Sequence, residues 1–247
     1  MNTIPNAIVI GAGKAGSTSL YNYLDAHPAI FGSRVKELMY FSTKFDQGAE
    51  WYLSNFPQQE GVEVYFEATP QYSFRDEFPQ VAPRIRDYNP DMSILYIVRE
   101  PLSRIVSHFN HWARAFPDRF TDIEESLRNP GHRKFFVDRT RYHYQIQAYL
   151  DLFPAEKVKV VFLEDLKSDF VPTLNDVYRF LGVEECAETI ENRIFNQRKK
   201  ASDTRVWRLD DISPERRQEI VETLSEDVQQ LFSLCGKASD FWGEAYR

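Results

Sequence analysis

Ala7-Ile8-Val9-Ile10-Gly11-Ala12-Gly13-Lys14-Ala15-Gly16-Ser17-Thr18-Ser19 is the stretch that decides the fold. Residues 7–10 are a short, wholly apolar run ending at Gly11, the pattern of a strand buried on both faces of a parallel sheet. Over residues 17–26 the apolar members Leu20, Tyr23 and Leu24 recur at three- and four-residue spacing, which predicts a helix. The turn between them is built of small residues, which let backbone approach a ligand closely. The helix that follows presents unpaired N–H groups and the positive end of its dipole. Ser17, Thr18 and Ser19 add hydroxyl donors, and Lys14 adds a full positive charge. Lys14, Ala15, Gly16, Ser17, Thr18 and Ser19 are therefore a candidate phosphate cradle. The alternative is a tight strand-to-helix turn whose glycines serve only packing. The loop is not the triphosphate motif that ends in Gly-Lys-Ser/Thr and gives its hydroxyl to magnesium. Here Lys14 precedes Gly16, three residues early.

Outward from this stretch, residues 62–68, 93–98 and 158–163 read as further strands. Helices are predicted over 102–115, with Pro101 in the first turn, and over 142–153. Two more follow, over 172–181 with Gly182 as its stop, and from Ser213-Pro214 to about Leu234. Residues 40–62 and 116–141 are less periodic and are expected to be insertions with short helices near a site. Strands alternating with helices imply right-handed crossovers and a sheet covered on both faces. The expected fold class is α/β, a P-loop-like three-layer fold with a central, mostly parallel sheet flanked by helices. Residues 1–247 are expected to form a single domain.

The net charge of −7 argues against a general nucleic-acid binder and against a polybasic membrane anchor. Cys186 and Cys235 are far apart, have no metal-ligand spacing and read as reduced thiols of a cytoplasmic protein. No metal site is expected. The first residues, Met1-Asn2-Thr3-Ile4-Pro5-Asn6, do not read as a secretory signal, and no apolar run reaches membrane-span length. The expectation is a cytoplasmic protein with no nucleic-acid partner and no stable membrane insertion.

Arg99 is predicted at the carboxyl end of the strand over 93–98, and Ser107 two helical turns later. Ligands of open α/β sheets bind at the carboxyl ends of strands, and an arginine there offers a planar fork of donors suited to phosphate. The alternative is that Arg99 pairs with Glu100 and Ser107 is a neutral helix residue. A nucleotide with phosphates at both ends of its ribose would satisfy the Lys14 loop and Arg99 together.

Several blocks now line up in order: residues 10–20, His27-Pro28, Lys36-Glu37-Leu38-Met39-Tyr40-Phe41 and Glu67-Ala68-Thr69-Pro70-Gln71-Tyr72. Ile97-Val98-Arg99-Glu100-Pro101 with Arg104 and Ser107 follows, then Glu164-Asp165-Leu166 and Phe180-Leu181-Gly182. In order and spacing they resemble the sulfotransferases that use 3′-phosphoadenosine-5′-phosphosulfate (PAPS). Within these, the match is to the branch of heparan sulfate N- and 3-O-sulfotransferases and their bacterial relatives. The resemblance implies that Lys14–Ser19 bind the 5′-phosphosulfate, that Arg99 and Ser107 bind the 3′-phosphate, and that PAP is the product. It implies that Glu37 is the base; the sequence alone allows that Glu37 merely pairs with Arg34 or Lys36. Basic residues after Phe195-Asn196 should close over the nucleotide, with Arg198, Lys199 and Lys200 as candidates and Arg205 and Arg208 as alternatives. His108 and His111 are back-up bases. Together with Gln71 and Tyr72 they are expected to line the acceptor cleft.

The match is not complete. Where the heparan-type enzymes carry lysine after the glutamate of Glu-Lys-Thr-Pro, this chain has Ala68, and where their first loop has arginine it has Thr18. A neutral saccharide, glycolipid or small-metabolite acceptor is therefore expected. Two other classes compete: a kinase or NTPase using magnesium and ATP, for which Glu67 is the best metal-binding acid, and a non-catalytic nucleotide-binding protein.

Overall fold

The apolar run after Pro5 becomes the middle strand of the sheet. The computed structural model describes residues 4–193 and 205–247. Among them five strands, β1 (Ala7–Gly11), β2 (Ile30–Gly32), β3 (Val64–Ala68), β4 (Ser93–Val98) and β5 (Val158–Phe162), form one sheet in the order β2-β3-β1-β4-β5. Every pairing in it is parallel. The helices are α1 (Ser17–Asp25), α2 (Gly48–Leu53), α3 (Val81–Tyr88), α4 (Pro101–Ala115) and α5 (Ile123–Arg128). They continue with α6 (Pro130–Phe136), α7 (Tyr142–Leu150), α8 (Leu163–Ser168), α9 (Phe170–Leu181) and α10 (Pro214–Cys235).

The described residues fall into two compact units, one within Met1–Val98 and Ile146–Gln197, the other within Arg99–Gln145 and Arg198–Arg247. The first unit holds the whole sheet. On one face of it Val9, Leu95 and Ile97 pack with Leu20 and Leu24 of α1 and Leu174, Val177 and Tyr178 of α9. Ile8, Ile10, Ile94 and Tyr96 point to the opposite face and are equally buried. Burial on both faces is why these strands read as unbroken apolar runs. The second unit holds α4, α5, α6 and α10. There Glu100 caps α4, its carboxylate accepting from the Leu102 and Ser103 amides at 2.9 and 2.7 Å. Asp227 of α10, buried, accepts from the His143 and Tyr144 amides at 3.0 and 2.8 Å. Cys186 and Cys235 are free thiols.

The chain leaves β1 for β2 and β3 on one side and reaches β4 and β5 on the other. β1 is thus the switch point, and a crevice opens beyond its carboxyl end. The backbone is crowded there. A Cβ on Gly11 would lie 2.5 Å from Ser73 Oγ and 3.1 Å from the Pro70 carbonyl oxygen. Gly11→Ala is therefore expected to destabilise the protein by ~1–3 kcal/mol in urea unfolding, the usual range for overpacking. The double variant Gly11→Ala/Ser73→Ala should recover part of that loss, since it removes the nearer contact.

Candidate functional site

The loop after β1 is fastened to the strand ends beside it. The Ala12 amide donates to the Ile97 carbonyl of β4 at 2.7 Å, and the Thr69 amide, just past β3, donates to the Val9 carbonyl at 3.1 Å. Gly16 begins α1 in the left-handed region, φ 107°. A side chain there would meet Leu163 Cδ1 at 2.8 Å, so only glycine lets the helix start this close to the sheet. No side chain caps α1. The amides of Ser17, Thr18 and Ser19 have no acceptor among the described residues. Lys14, half-buried, is itself held at a positive φ of 69°. The structure thus brings together a lysine, small residues and a helix start whose first amides have no acceptor among the described residues.

A second strained segment lies against the end of β3. The Ser33 amide donates to the Phe66 carbonyl at 2.8 Å and the Glu37 amide to the Ala68 carbonyl at 3.1 Å, so residues 33–37 run along that strand end. Glu37 and Met39 are at φ 65° and 58°. With Lys14 they are the non-glycine residues of positive φ among the described residues, each costing about 1–2 kcal/mol. The Met39 carbonyl closes the segment by accepting from the amides of Ser42, Thr43 and Lys44 at 3.1 to 3.3 Å. The Glu37 carboxylate pairs with Lys36 Nζ at 2.6 Å, and its side chain is 45% exposed. The surface pair that the sequence allowed is therefore formed, yet the carboxylate faces solvent and is open to a ligand.

Behind this segment sits Glu67, fully buried in β3. Its Oε1 accepts from Tyr52 Oη at 2.8 Å and Tyr72 Oη at 3.0 Å, and its Oε2 from Thr69 Oγ1 at 2.7 Å. Burial pushes its carboxyl up to about 7, against the opposing pull of those three hydroxyls. This corrects two expectations. Glu67 is fully buried and engaged by three hydroxyl donors, so it is not placed to serve as the magnesium ligand of an NTPase. Tyr72, expected at the acceptor cleft, is buried and committed to Glu67 and to the Phe41 amide. Gln71 is half-buried and donates to Ser42 Oγ at 2.5 Å.

In the second unit, Arg99 and Ser107 are half-buried. Neither the guanidinium nor the hydroxyl has an ionic or hydrogen-bonding partner among the described residues. Glu100, the suspected partner of Arg99, is occupied by the α4 amides and by Tyr246 Oη at 2.6 Å. His108 is buried against Phe135 and Phe136, and its Nε2 accepts from Trp112 Nε1 at 2.9 Å. With that nitrogen engaged, His108 is a packing residue rather than a back-up base. His111 is exposed, its ring edge-on to Trp112. Arg198, Lys199 and Lys200 lie outside the described residues. Arg205 pairs with Asp211 at 2.8 Å and stacks on Trp207, and the Arg208 amide donates to Asp211 at 2.7 Å. Among the described residues, no helix is long and apolar enough to cross a membrane.

A helix start with open donors at the switch point of a parallel sheet defines the P-loop-like α/β class. The chain belongs to the sulfotransferase family, whose domain model matches residues 5–233. It is 28% identical over 190 residues to human heparan sulfate glucosamine 3-O-sulfotransferase 5, a match covering 73% of this chain and 54% of that protein. The chain spans about half the length of the curated relatives it matches. A sulfotransferase from Alicyclobacillus acidocaldarius superposes with a TM-score of 0.77 at 26% identity, over 95% of this chain and 96% of that one. The mouse sulfotransferase SULT7A1, solved with PAP, shares the fold at TM-score 0.57 and 16% identity, over 91% of this chain and 84% of that one.

The sequence reading weighed Glu67 only as a metal-binding acid and missed its bonds to three hydroxyls, although a glutamate inside an apolar strand, with Thr69 and Tyr72 close behind, is a visible signal. Its titration has a defined sign. The folded protein holds this proton to about pH 7, the unfolded chain only to about 4.5. The contribution of this group to stability is therefore full below about pH 4.5 and is lost as pH rises through about 7. Urea unfolding of the wild type and of Glu67→Gln from pH 4.5 to 7.5 should show the wild type losing ground with rising pH, by at most ~1.4 kcal/mol per unit. Parallel curves would mean that Glu67 does not titrate in that window.

Proposed function

We propose that the protein transfers a sulfonate group from PAPS to a hydroxyl or amine of a carbohydrate, glycolipid or small-metabolite acceptor, without a metal ion. The observation that carries this reading is the open cradle at the start of α1, where the Ser17, Thr18 and Ser19 amides await an anion beside Lys14. The fit to a doubly phosphorylated nucleotide rests further on Arg99 and Ser107, which lack partners among the described residues.

When bound, PAPS supplies an activated sulfonate and departs as PAP. The residues of this chain do the rest. The α1 amides and the hydroxyls of Ser17, Thr18 and Ser19 hold the 5′ end, and Lys14 offsets the negative charge released there. Arg99 and Ser107 hold the 3′-phosphate, the group that separates PAPS from ATP. Glu37 takes the proton of the acceptor as its oxygen or nitrogen attacks sulfur. The acceptor is proposed to be neutral. Ala68, buried in β3, stands where the heparan-type enzymes carry lysine, and the chain has a net charge of −7.

PAP is expected to raise the melting temperature equally with magnesium and with EDTA, and Arg99→Ala to abolish most of that shift. Stabilisation by ATP that requires magnesium would instead favour the NTPase reading. With labelled PAPS and a panel of neutral acceptors, Lys14→Ala and Glu37→Gln should each lower turnover at least ~100-fold, the lower range for a lost acid–base group. Wild-type turnover in both variants would remove the mechanism.

A further inference from the structure

Glu37 and Met39 adopt backbone conformations that L-residues avoid, and such strain persists only where the surroundings over-determine it. Beside the Ala68 carbonyl, which accepts from the Glu37 amide, and Arg84, which donates to the Phe41 carbonyl at 2.9 Å, those surroundings include two hydroxyls. The Met39 amide donates to Thr69 Oγ1 at 3.3 Å, and Thr69 Oγ1 donates onward to Glu67 Oε2 at 2.7 Å. The Phe41 amide donates to Tyr72 Oη at 3.1 Å, and Tyr72 Oη donates onward to Glu67 Oε1 at 3.0 Å. A hydroxyl has one proton and two lone pairs, and an ionised carboxylate only accepts. In its ionised form, above about pH 7, Glu67 therefore fixes the direction of both hydroxyl protons and leaves a lone pair of each facing a backbone amide of the 37–41 segment. Tyr52 makes a third bond to Glu67, at 2.8 Å, but no hydrogen bond to that segment.

We propose that Glu67 is a positioning residue, which through the Thr69 and Tyr72 hydroxyls holds the 37–41 backbone in the strained form that presents the Glu37 carboxylate to the acceptor. Glu67 is fully buried and presents no surface to an acceptor. The catalytic part of this assignment rests on Glu37 being the base; the holding of the segment does not.

Three isosteric variants separate holding from general packing: Thr69→Val, Tyr72→Phe and Tyr52→Phe. Each deletes one hydroxyl bond to Glu67, but only the first two cut a link to the segment. Site-resolved hydrogen exchange should show the Met39 amide opening at least ~10-fold faster in Thr69→Val, and the Phe41 amide likewise in Tyr72→Phe, with neither changed in Tyr52→Phe. In the same two variants kcat should fall at least ~10-fold with KM for PAPS unchanged, since small misplacement of a reacting group is costly. Tyr52→Phe should keep kcat within about twofold. Equal effects in all three variants, on exchange or on kcat, would overturn the proposal, as would unchanged exchange in all three. Glu37→Gln, measured alongside, tells the two readings apart. Wild-type kcat in that variant sinks the base, and the exchange pattern then decides the holding alone.

Discussion

Just beyond β1 the chain has almost no lateral room, and the site is built from that constraint. Ile97 accepts from the Ala12 amide on one side, Val9 accepts from the Thr69 amide on the other, and Ser73 and Pro70 close in over Gly11. A chain pinned between two strand ends has to turn within a few residues, and α1 starts hard against Ile97 and Leu163, where only a glycine fits. Its first amides are left without an acceptor among the described residues. The open donors of the cradle are thus a by-product of close packing, with no capping side chain needed to arrange them.

The same strand ends hold the second half of the chemistry. β3 carries an apolar face into the core with Phe66 and Ala68, yet between them it buries a carboxylate. A buried carboxyl group is expensive unless its lone pairs are met. Three hydroxyls from α2, from the chain just past β3 and from the turn at Pro70–Ser73 meet them here. Two of those hydroxyls then serve backbone amides, so one costly group organises a segment of several residues.

Much of this was legible in the sequence. β1, β3, β4 and β5 were readable because burial on both faces writes apolar runs, and β4 was bounded correctly as 93–98. β2 was missed because Ile30-Phe31-Gly32 is too short to show a period. α2, α3, α5, α6 and α8 were not placed individually; three of them span only six residues. The cradle was readable from its small residues and hydroxyls, since local order along the chain sets its geometry. The fate of Arg99 was not: whether Glu100 would pair with it depended on Glu100 capping its own helix and on Tyr246, far away in sequence. His108 is a subtler case. Trp112 stands one helical turn later, and its indole N–H takes up the imidazole nitrogen. The pair was visible as a spacing, but its orientation was not.

The exposure of the Glu37 carboxylate bears on how a catalytic cycle would end. A base sealed from solvent must return its proton through a chain of neighbours before it can act again. Glu37 stands nearly half open to water, with the ammonium of Lys36 in contact. In the proposed cycle, a proton taken up there passes straight to bulk solvent. Regeneration would then need no internal relay.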